Sequence, residues 1–134
     1  MLKDILLPKN VDAGVAIVKE LNTELDIEWY VYVVNYTEFK ITNVFVTCKG
    51  YGVINGEEKH TTVIRYFLDD IEAQTAIKVE PIHPDLFALN NEYFLTFFLD
   101  GEIHDKKIVF AAESIDDSKL EMISIVERLG LYIQ

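Results

Sequence analysis

The sequence contains one cysteine, Cys48, and no run of apolar residues that approaches the roughly 18 needed to cross a bilayer. A single cysteine excludes an internal disulfide, which predicts a protein suited to the reducing cytoplasm. Acidic residues interrupt every hydrophobic run, so we expect no membrane segment. The opening residues, MLKDILLPKN, include an aspartate and a proline and lack the long apolar core and small-residue cleavage site of a signal peptide.

Positively charged residues are also scarce, with 12 lysines and arginines against 23 aspartates and glutamates and a net charge of -11. A surface this acidic repels the phosphate backbone of nucleic acid, which argues against a nucleic-acid partner. Half of the 134 residues are hydrophobic, which is enough to bury the core of one domain of ordinary size. We therefore expect residues 1–134 to form a single domain.

The sequence motifs of common enzyme classes are missing as well. There is no G-x-S-x-G nucleophile elbow, no glycine-rich phosphate loop, no H-E-x-x-H metal motif and no EF-hand. The candidate metal ligands are His60, His83, His104, Asp69-Asp70 and Asp116-Asp117. None of them has the spacing of a recognised metal site, so they are interpreted as surface residues. The sequence therefore predicts no catalytic residues, no metal site and no cofactor.

What the sequence has in abundance is short runs of Val, Ile, Tyr, Phe and Thr, each closed by turn residues, which is the pattern of β-strands. From residue 27 onward these runs predict strands at 27–35, 41–52, 60–69, 75–81, 92–100 and 102–112. An earlier run, GVAIVKEL at 14–21, fits a strand or a short helix, and we favour the strand. The stretch PIHPDLFALNN, with two prolines and paired asparagines, predicts a connection that has room for one helical turn.

Two dipeptides predict tight hairpins. Asn55-Gly56 and Asp100-Gly101 are pairs that tolerate the positive φ angles of a type I′ turn, and strand-like runs flank each of them. Strands joined by hairpins pair antiparallel, so the sequence predicts an all-β, immunoglobulin-like antiparallel β-sandwich of about seven strands. The Cys, Trp, Cys pattern of antibody domains is absent, so this prediction concerns the architecture.

The C-terminal segment at 118–129 fits two structures. Ser118 precedes Glu121 by three residues, as in a helix capping box, and Gly130 stands where a helix could stop. The β-branched sequence ISIV at 123–126 alternates as in a short strand instead. A short helix and a short strand both remain open for this segment.

Cys48 lies in the stretch VFVTCKGYG, which alternates as a strand. Alternation places Cys48 on one face, as a core residue without a thiolate-stabilising neighbour, and Phe45 on the opposite face. The following Gly50 and Gly52 match no phosphate-binding motif. They are predicted to mark a bulge or a close backbone approach before the next turn.

Two predicted strands carry apolar side chains on both faces, which is more than a simple two-sheet sandwich needs. One face carries Trp29, Val31 and Val33 in the first of these strands and Tyr93, Leu95, Phe97 and Leu99 in the second. The opposite face carries Tyr30, Tyr32 and Val34 in the first and Phe94 and Phe98 in the second. If the former set fills the core, the latter leaves an aromatic outer face that something must cover.

Two alternatives exist for what covers this face. One is the chain's own ends, at 1–21 or 120–133, and the other is a second subunit. Closed two-fold symmetry is the commonest arrangement of soluble oligomers, so the second cover predicts a homodimer. Large aromatic residues dominate the energetics of buried interface centres. The residues proposed for this interface are Tyr30, Tyr32, Phe94 and Phe98.

Four stretches, VYVVNYTEFKITNVFVTCKGYG, RYFLDDIEAQTAIKVEPI, LFALNNEYFLTFFLDG and KKIVFAAESI, resemble a family of short uncharacterised bacterial proteins over residues 27–115. Some members of that family are labelled phenylalanyl-tRNA synthetase alpha subunit. The present chain is too short for the catalytic domain of such a synthetase, has no glycine-rich motif with an arginine for ATP and is acidic where a tRNA-binding protein is basic. The resemblance implies a complete small protein and supplies no catalytic residues.

These observations predict a cytoplasmic binding or protein-interaction module without catalytic activity, which forms a homodimer or has another protein as its partner. The alternative function is that of a small-molecule binding protein or enzyme. In that case the pocket is expected at the edge of the sandwich near PIHPDLF.

Overall fold

The computed structural model describes residues 11–134, and the expectations that concern residues 1–10 lie outside this range. The strands are β1 (Ala13–Leu21), β2 (Ile27–Asn35), β3 (Ile41–Ile54), β4 (Glu57–His60), β5 (Ile64–Ile71), β6 (Thr75–Pro81), β7 (Asn90–Leu99), β8 (Glu102–Phe110), β9 (Glu121–Ile123) and β10 (Arg128–Ile133). Two short 3₁₀ turns span Pro84–Ala88 and Asp117–Lys119. Within residues 11–134, no helix combines the length and apolar character that a bilayer crossing requires.

The strands form two antiparallel sheets that pack face to face. Sheet A has the order β6-β2-β1-β10-β9. Sheet B has the order β4-β3-β7-β8, and β5 also pairs with β3. A core of buried residues contributed by both sheets lies between them. The all-β sandwich predicted from the sequence is therefore confirmed.

Most of the predicted strands are confirmed. β2 and β6 span the predicted 27–35 and 75–81, and β1 confirms the strand favoured at 14–21. The predicted strand at 60–69 is wrong at its start, because the chain is interrupted there between β4 and β5. Thr61 marks the interruption: its backbone N–H donates to the Gly50 carbonyl at 2.9 Å, and its hydroxyl accepts from the Gly50 N–H at 2.7 Å. β4 and β5 therefore follow one another along the same edge of β3.

Both predicted hairpin turns are present. Asn55 and Gly56 have φ angles of 52° and 79°, and Asp100 and Gly101 have φ angles of 51° and 78°. Positive φ at both central positions is the geometry of a type I′ turn. The turns join β3 to β4 and β7 to β8. The PIHPDLFALNN connection contains a single turn, as its composition predicts, in the first 3₁₀ segment.

Cys48 is a buried core residue, as predicted, with 5% of its surface exposed. The glycines that follow it allow close packing. A Cβ at Gly50 would lie 3.0 Å from Thr61 Cγ2, and a Cβ at Gly52 would lie 3.3 Å from Leu89 Cδ2. Pairing with β4 is regular at Gly52, and pairing with β7 is regular at Gly50. On the other edge of β3 the pairing is irregular beside Gly50, because the segment between β4 and β5 has one extra residue there. The register of β3 also shifts near its N-terminal end.

The C-terminal segment is not a helix. Asp116 caps the second 3₁₀ turn by accepting from the Ser118 N–H at 3.0 Å, and the chain then forms β9 and β10. The helix alternative at 118–129 is therefore wrong, and so is the capping box. Gly130 lies inside β10 against β1, where an added Cβ would lie 2.4 Å from the Ile17 carbonyl oxygen. β10 pairs antiparallel with β1 and belongs to the interior of sheet A.

Candidate functional site

The four residues of the interface hypothesis lie on two different surfaces. Tyr30 and Tyr32 belong to β2 in sheet A, and Phe94 and Phe98 belong to β7 in sheet B. The residues that alternate with them fill the core between the sheets, so all four point outward, from opposite sides of the sandwich. Alternation within each strand is visible in the sequence. The assignment of the two strands to different sheets is not.

The outer face of sheet A is covered by the chain's own C-terminal segment. The apolar residues of this face and of the covering segment form one cluster, with Ala16, Val18, Val34 and Ile123 buried and Ile125 and Val126 packed against them. Tyr36 and Tyr132 add an edge-to-face contact with ring centroids 5.2 Å apart. The chain's own end is thus the cover for this side of the sandwich.

Tyr30 and Tyr32 take part in a polar network on the same face. The Tyr32 hydroxyl donates to Glu20 at 2.5 Å, and Lys78 Nζ lies 3.2 Å from the other oxygen of that carboxylate. Lys78 Nζ also lies 3.8 Å from the centroid of the Tyr30 ring, which is a cation–π contact. Burial, followed by the hydrogen bond to Glu20, raises the pKa of Tyr32 well above its usual range. The polar groups of both tyrosines have partners within the chain.

The outer face of sheet B carries exposed apolar residues from four neighbouring strands. Its members, which we call the phenylalanine face, are Phe67 in β5, Phe45 in β3, Phe94 and Phe98 in β7, and Ile103 in β8. Phe45 lies opposite Phe67, with ring centroids 4.7 Å apart, and Phe98 lies opposite Ile103. Phe94 is the diagonal neighbour of Phe45 across β3 and β7. Thr96 lies between Phe94 and Phe98 on the same face, opposite Phe45, and its hydroxyl donates to Asp105 at 2.9 Å, so the apolar residues surround one polar pair.

The side chains of the phenylalanine face are unusually open to solvent for their size. The exposed fractions of Phe45, Phe67, Phe94 and Ile103 are 47%, 51%, 42% and 58%. Four large apolar residues that are each about half exposed present roughly 400 Å² together. This is about the size of the largest apolar patch on an ordinary monomer, and such a patch often has a binding function. Alternation in the sequence indicates that Phe45 points outward, but the pairing of β3 with both β5 and β7 is what brings the patch together.

The charges beside the phenylalanine face are nearly balanced. Arg65 lies opposite Thr47 on β3, and Lys107 lies opposite Phe94. The carboxylate of Glu92 bridges the two neighbouring strands, at 3.5 Å from Lys49 Nζ and 3.7 Å from Lys107 Nζ. With Asp105, the set comprises Lys49, Arg65 and Lys107 against Glu92 and Asp105. These three positive and two negative side chains balance one another locally in a chain whose net charge is -11, while the exposed Asp69 and Asp70 follow Phe67 at the end of β5.

A second candidate site is a cavity of about 310 Å³ between the sheets, beside the PIHPDLF stretch. Its apolar walls include Ile64, Ile82 and Leu86, and its polar lining includes Cys48, Glu80 and Tyr93. The cavity opens on the side of the sandwich where the chain passes from β5 in sheet B to β6 in sheet A. It lies where the sequence places the pocket of the alternative function.

Two titratable groups in or beside this cavity, Cys48 and Tyr66, have raised pKa values. Burial, followed by the charge of Glu80, raises the pKa of Cys48 to about 12, which makes the thiol a poor nucleophile at neutral pH. The Tyr66 hydroxyl donates to Glu80 at 2.6 Å. This hydrogen bond, followed by burial, raises the pKa of Tyr66 to about 12. The cavity is thus built for non-covalent contacts.

The candidate metal ligands of the sequence are not brought together. The Nδ1 atom of His83 accepts from the Asp85 N–H at 3.1 Å and caps the first 3₁₀ turn, and His104 stacks on Phe97 with ring centroids 5.2 Å apart. Asp116 caps the second 3₁₀ turn. Among residues 11–134, there is no group of three or more His, Cys, Asp or Glu side chains arranged to hold a metal ion.

The chain was compared with protein-family models, with curated proteins and with solved structures. None of the three comparisons finds a match. The features that bear on function are therefore the phenylalanine face and the cavity between the sheets.

Proposed function

We propose that this protein is a cytoplasmic protein-interaction module without catalytic machinery, and that it forms a two-fold dimer through the phenylalanine face. The observation that supports the proposal is the set of half-exposed apolar side chains on β5, β3, β7 and β8, which share one face of sheet B. Of the two outer faces of the sandwich, the one on sheet A is covered by the C-terminal segment, which leaves the one on sheet B. The resemblance to the family of short bacterial proteins adds no site residues to this proposal.

Charge supports a second copy of the chain as the occupant of this face. Two molecules with a net charge of -11 repel one another, and they approach most easily through a surface where positive and negative charges balance. Around the phenylalanine face, Lys49, Arg65 and Lys107 offset Glu92 and Asp105. A two-fold contact would bury roughly 400 Å² of apolar surface at the centre of each copy, and this charged rim extends it toward the roughly 800 Å² per partner of a standard interface.

Strand addition at the edge of sheet B is a less suitable mode of association. β8 is an edge strand, and Lys106 on β8 points toward the core, where its Nζ donates to the Ala13 carbonyl at 2.8 Å and also to the Val11 carbonyl. An inward-pointing lysine on an edge strand disfavours pairing with another chain. The face of the sheet, and not its edge, is therefore the proposed contact.

The strand order supports the immunoglobulin-like part of the proposal. In an immunoglobulin domain, the first, second and fifth strands share one sheet and the third, sixth and seventh share the other. If β4 and β5 are counted as one strand interrupted at Thr61, then β1, β2 and β6 match the former set and β3, β7 and β8 match the latter. The fourth strand departs from this pattern, because in an immunoglobulin constant-type domain it joins the first sheet, whereas β4 and β5 pair with β3 in sheet B. β9 and β10 are additions to sheet A beside β1.

Light scattering on the wild-type protein and on two charge variants tests the dimer. Wild type is expected to be a dimer at tens of micromolar, where a standard interface is usually populated. Phe94→Glu places a charge in the centre of the proposed contact and should give a monomer that remains folded, as circular dichroism checks, because Phe94 is 42% exposed. Tyr32 is a poorer test, since a charge there breaks the network with Glu20 and Lys78 and destabilises the fold itself.

Leu25→Glu is the matched control. Leu25 is 77% exposed and lies in the turn between β1 and β2 of sheet A, away from the phenylalanine face. This variant gains the same charge and should remain a dimer. A wild-type protein that is monomeric at this concentration contradicts the dimer, and a Leu25→Glu variant that dissociates as readily as Phe94→Glu contradicts the choice of face.

A further inference from the structure

We infer that the cavity between the sheets is a binding site for a small organic amine, an apolar molecule that carries one ammonium group. This inference goes beyond the proposed dimer, because the cavity and the phenylalanine face do not share side chains. It is carried by two polar groups on the cavity wall, the Tyr93 hydroxyl and the Glu80 carboxylate, and by the apolar residues that surround them.

Tyr93 is the first observation that points to a ligand. Only 2% of its surface is exposed, and its hydroxyl has no hydrogen-bond partner among residues 11–134. In these residues, every side-chain nitrogen or oxygen atom that is fully buried has a hydrogen-bond partner. Because the Tyr93 hydroxyl has none, it is not fully buried. Tyr93 lines the cavity, so its hydroxyl is accessible from there. The hydroxyl faces the cavity, so its hydrogen-bond partner comes from what the cavity holds, and a polar group of a bound molecule replaces water there.

Glu80 is the second observation. One of its oxygens accepts from Tyr66 at 2.6 Å, and among the described residues no lysine, arginine or histidine forms an ion pair with its carboxylate. Lys49 also lines the cavity, but its Nζ lies 3.5 Å from Glu92 on the outer face of sheet B. Within residues 11–134, the half-buried Glu80 carboxylate therefore lines the cavity without a cation. A ligand ammonium supplies that cation and makes a charge-assisted hydrogen bond.

The rest of the cavity defines the body of the ligand. Ile64, Ile82 and Leu86 provide apolar walls. The Cys48 thiol is uncharged, so it requires no charged group on the ligand. A volume of about 310 Å³ is at the small end of ligand-binding pockets, so the ligand is a compact molecule. Phenethylamine has these properties. Phenethyl alcohol has the same body without the positive charge, and 3-phenylpropionate has a similar body with a negative charge.

Isothermal titration calorimetry with these three compounds tests the site. Phenethylamine should bind the full chain saturably, phenethyl alcohol about tenfold or more weaker, and 3-phenylpropionate not measurably. Glu80→Gln should weaken phenethylamine binding about tenfold or more, since it removes the charged partner and keeps the shape of the side chain. Tyr93→Phe should weaken the binding of phenethylamine less, because this variant loses only the hydroxyl and keeps the Glu80 carboxylate in place.

Glu20→Gln is the control for Glu80→Gln. Glu20 also accepts a hydrogen bond from a tyrosine hydroxyl, but it lies on the outer face of sheet A, so this variant should bind phenethylamine as wild type does. Cys48→Met should fill part of the cavity and abolish binding while the protein stays folded, as circular dichroism checks. Absence of phenethylamine binding to wild type at millimolar concentration overturns the site. Equal binding of phenethyl alcohol, or equal losses in Glu80→Gln and Glu20→Gln, overturns the assignment of an amine to Glu80.

Discussion

The hydroxyl of Tyr66 and the carboxylate of Glu80 lie 2.6 Å apart and connect the two sheets of the sandwich. Tyr66 belongs to β5 at one side of sheet B, and Glu80 belongs to β6 at the edge of sheet A. No β-ladder joins these strands, because each pairs only within its own sheet. The hydrogen bond therefore links the sheets at the side where the cavity opens.

We expect Tyr66→Phe to lower the free energy of unfolding by about 1–2 kcal/mol, because it removes a hydrogen bond to a charged acceptor that is partly shielded from water. Urea denaturation monitored by circular dichroism measures the loss. Tyr51→Phe is the matched control, since the Tyr51 hydroxyl donates to Glu92 at 3.1 Å within sheet B. If Tyr66→Phe loses no more free energy of unfolding than Tyr51→Phe, then the hydrogen bond between the sheets stabilises the fold no more than one within a sheet.

The stability of the protein should fall at alkaline pH. Burial raises the pKa of Cys48 from an ordinary value of 9.0, and burial followed by the hydrogen bond to a carboxylate raises the pKa of Tyr32 and Tyr132 from 10.0. The hydrogen bond to Glu80, followed by burial, raises the pKa of Tyr66 from the same value. The unfolded chain releases these protons first, so the folded state is fully favoured below about pH 9 and loses that advantage as pH rises toward 12.

Two measurements check this pH dependence. Thermal melts from pH 8 to pH 11 should show a constant melting temperature up to about pH 9 and a decrease above it. Absorbance of the phenolate at 295 nm should show delayed tyrosine ionisation in the folded protein compared with the protein in urea. Lys106 has the opposite effect on the pH dependence of stability, because burial lowers its pKa from 10.5. This single lysine is outweighed by the cysteine and the three tyrosines. A melting temperature that stays constant to pH 11 would contradict the prediction.

Local sequence patterns were sufficient for the parts of the fold that local interactions determine. β2 and β6 follow from alternation bounded by turn residues, and the turns at Asn55-Gly56 and Asp100-Gly101 follow from the tolerance of these residues for positive φ. The interruption at Thr61 was not predictable, because it depends on hydrogen bonds to Gly50 on another strand. Strands and turns that depend on neighbouring residues could be predicted from the sequence, and features that depend on a distant strand could not.

The same distinction explains the C-terminal segment and the candidate site. β10 pairs with β1, so that Ile133 lies opposite Val15, and nothing in the local sequence indicates this partner. Outward positions were correctly inferred for Tyr30 and Phe94. Their separation onto opposite sides of the sandwich follows from the long-range pairing of β2 with β1 and of β7 with β3.

Gly101 should be sensitive to substitution for conformational reasons alone. Its φ angle is 78°, and a Cβ added there would meet no atom within 4 Å. We expect Gly101→Ala to lower the free energy of unfolding by about 1–2 kcal/mol, the cost of a left-handed conformation for a residue with a Cβ. Gly101→Asn should cost less, because asparagine tolerates this conformation. Chemical denaturation compares the two variants, and equal losses would contradict the conformational explanation.

Gly130 should be sensitive for a different reason, which is steric. A Cβ at this position would lie 2.4 Å from the carbonyl oxygen of Ile17 and 2.9 Å from the Cα atom of Val18, so β10 would have to move away from β1. Overpacking of this kind typically costs about 1–3 kcal/mol, and a clash with backbone atoms belongs at the upper end of that range.

Hydrogen exchange separates this effect from the one at Gly101. In Gly130→Ala, the amides of β10 and of the facing part of β1 should lose protection, because the strand pairing between them is strained. In Gly101→Ala, the protection of these amides compared with the rest of sheet A should be the same as in wild type. Wild-type protection of β10 in Gly130→Ala, together with an unchanged free energy of unfolding, would show that β10 does not pack against β1 at this distance.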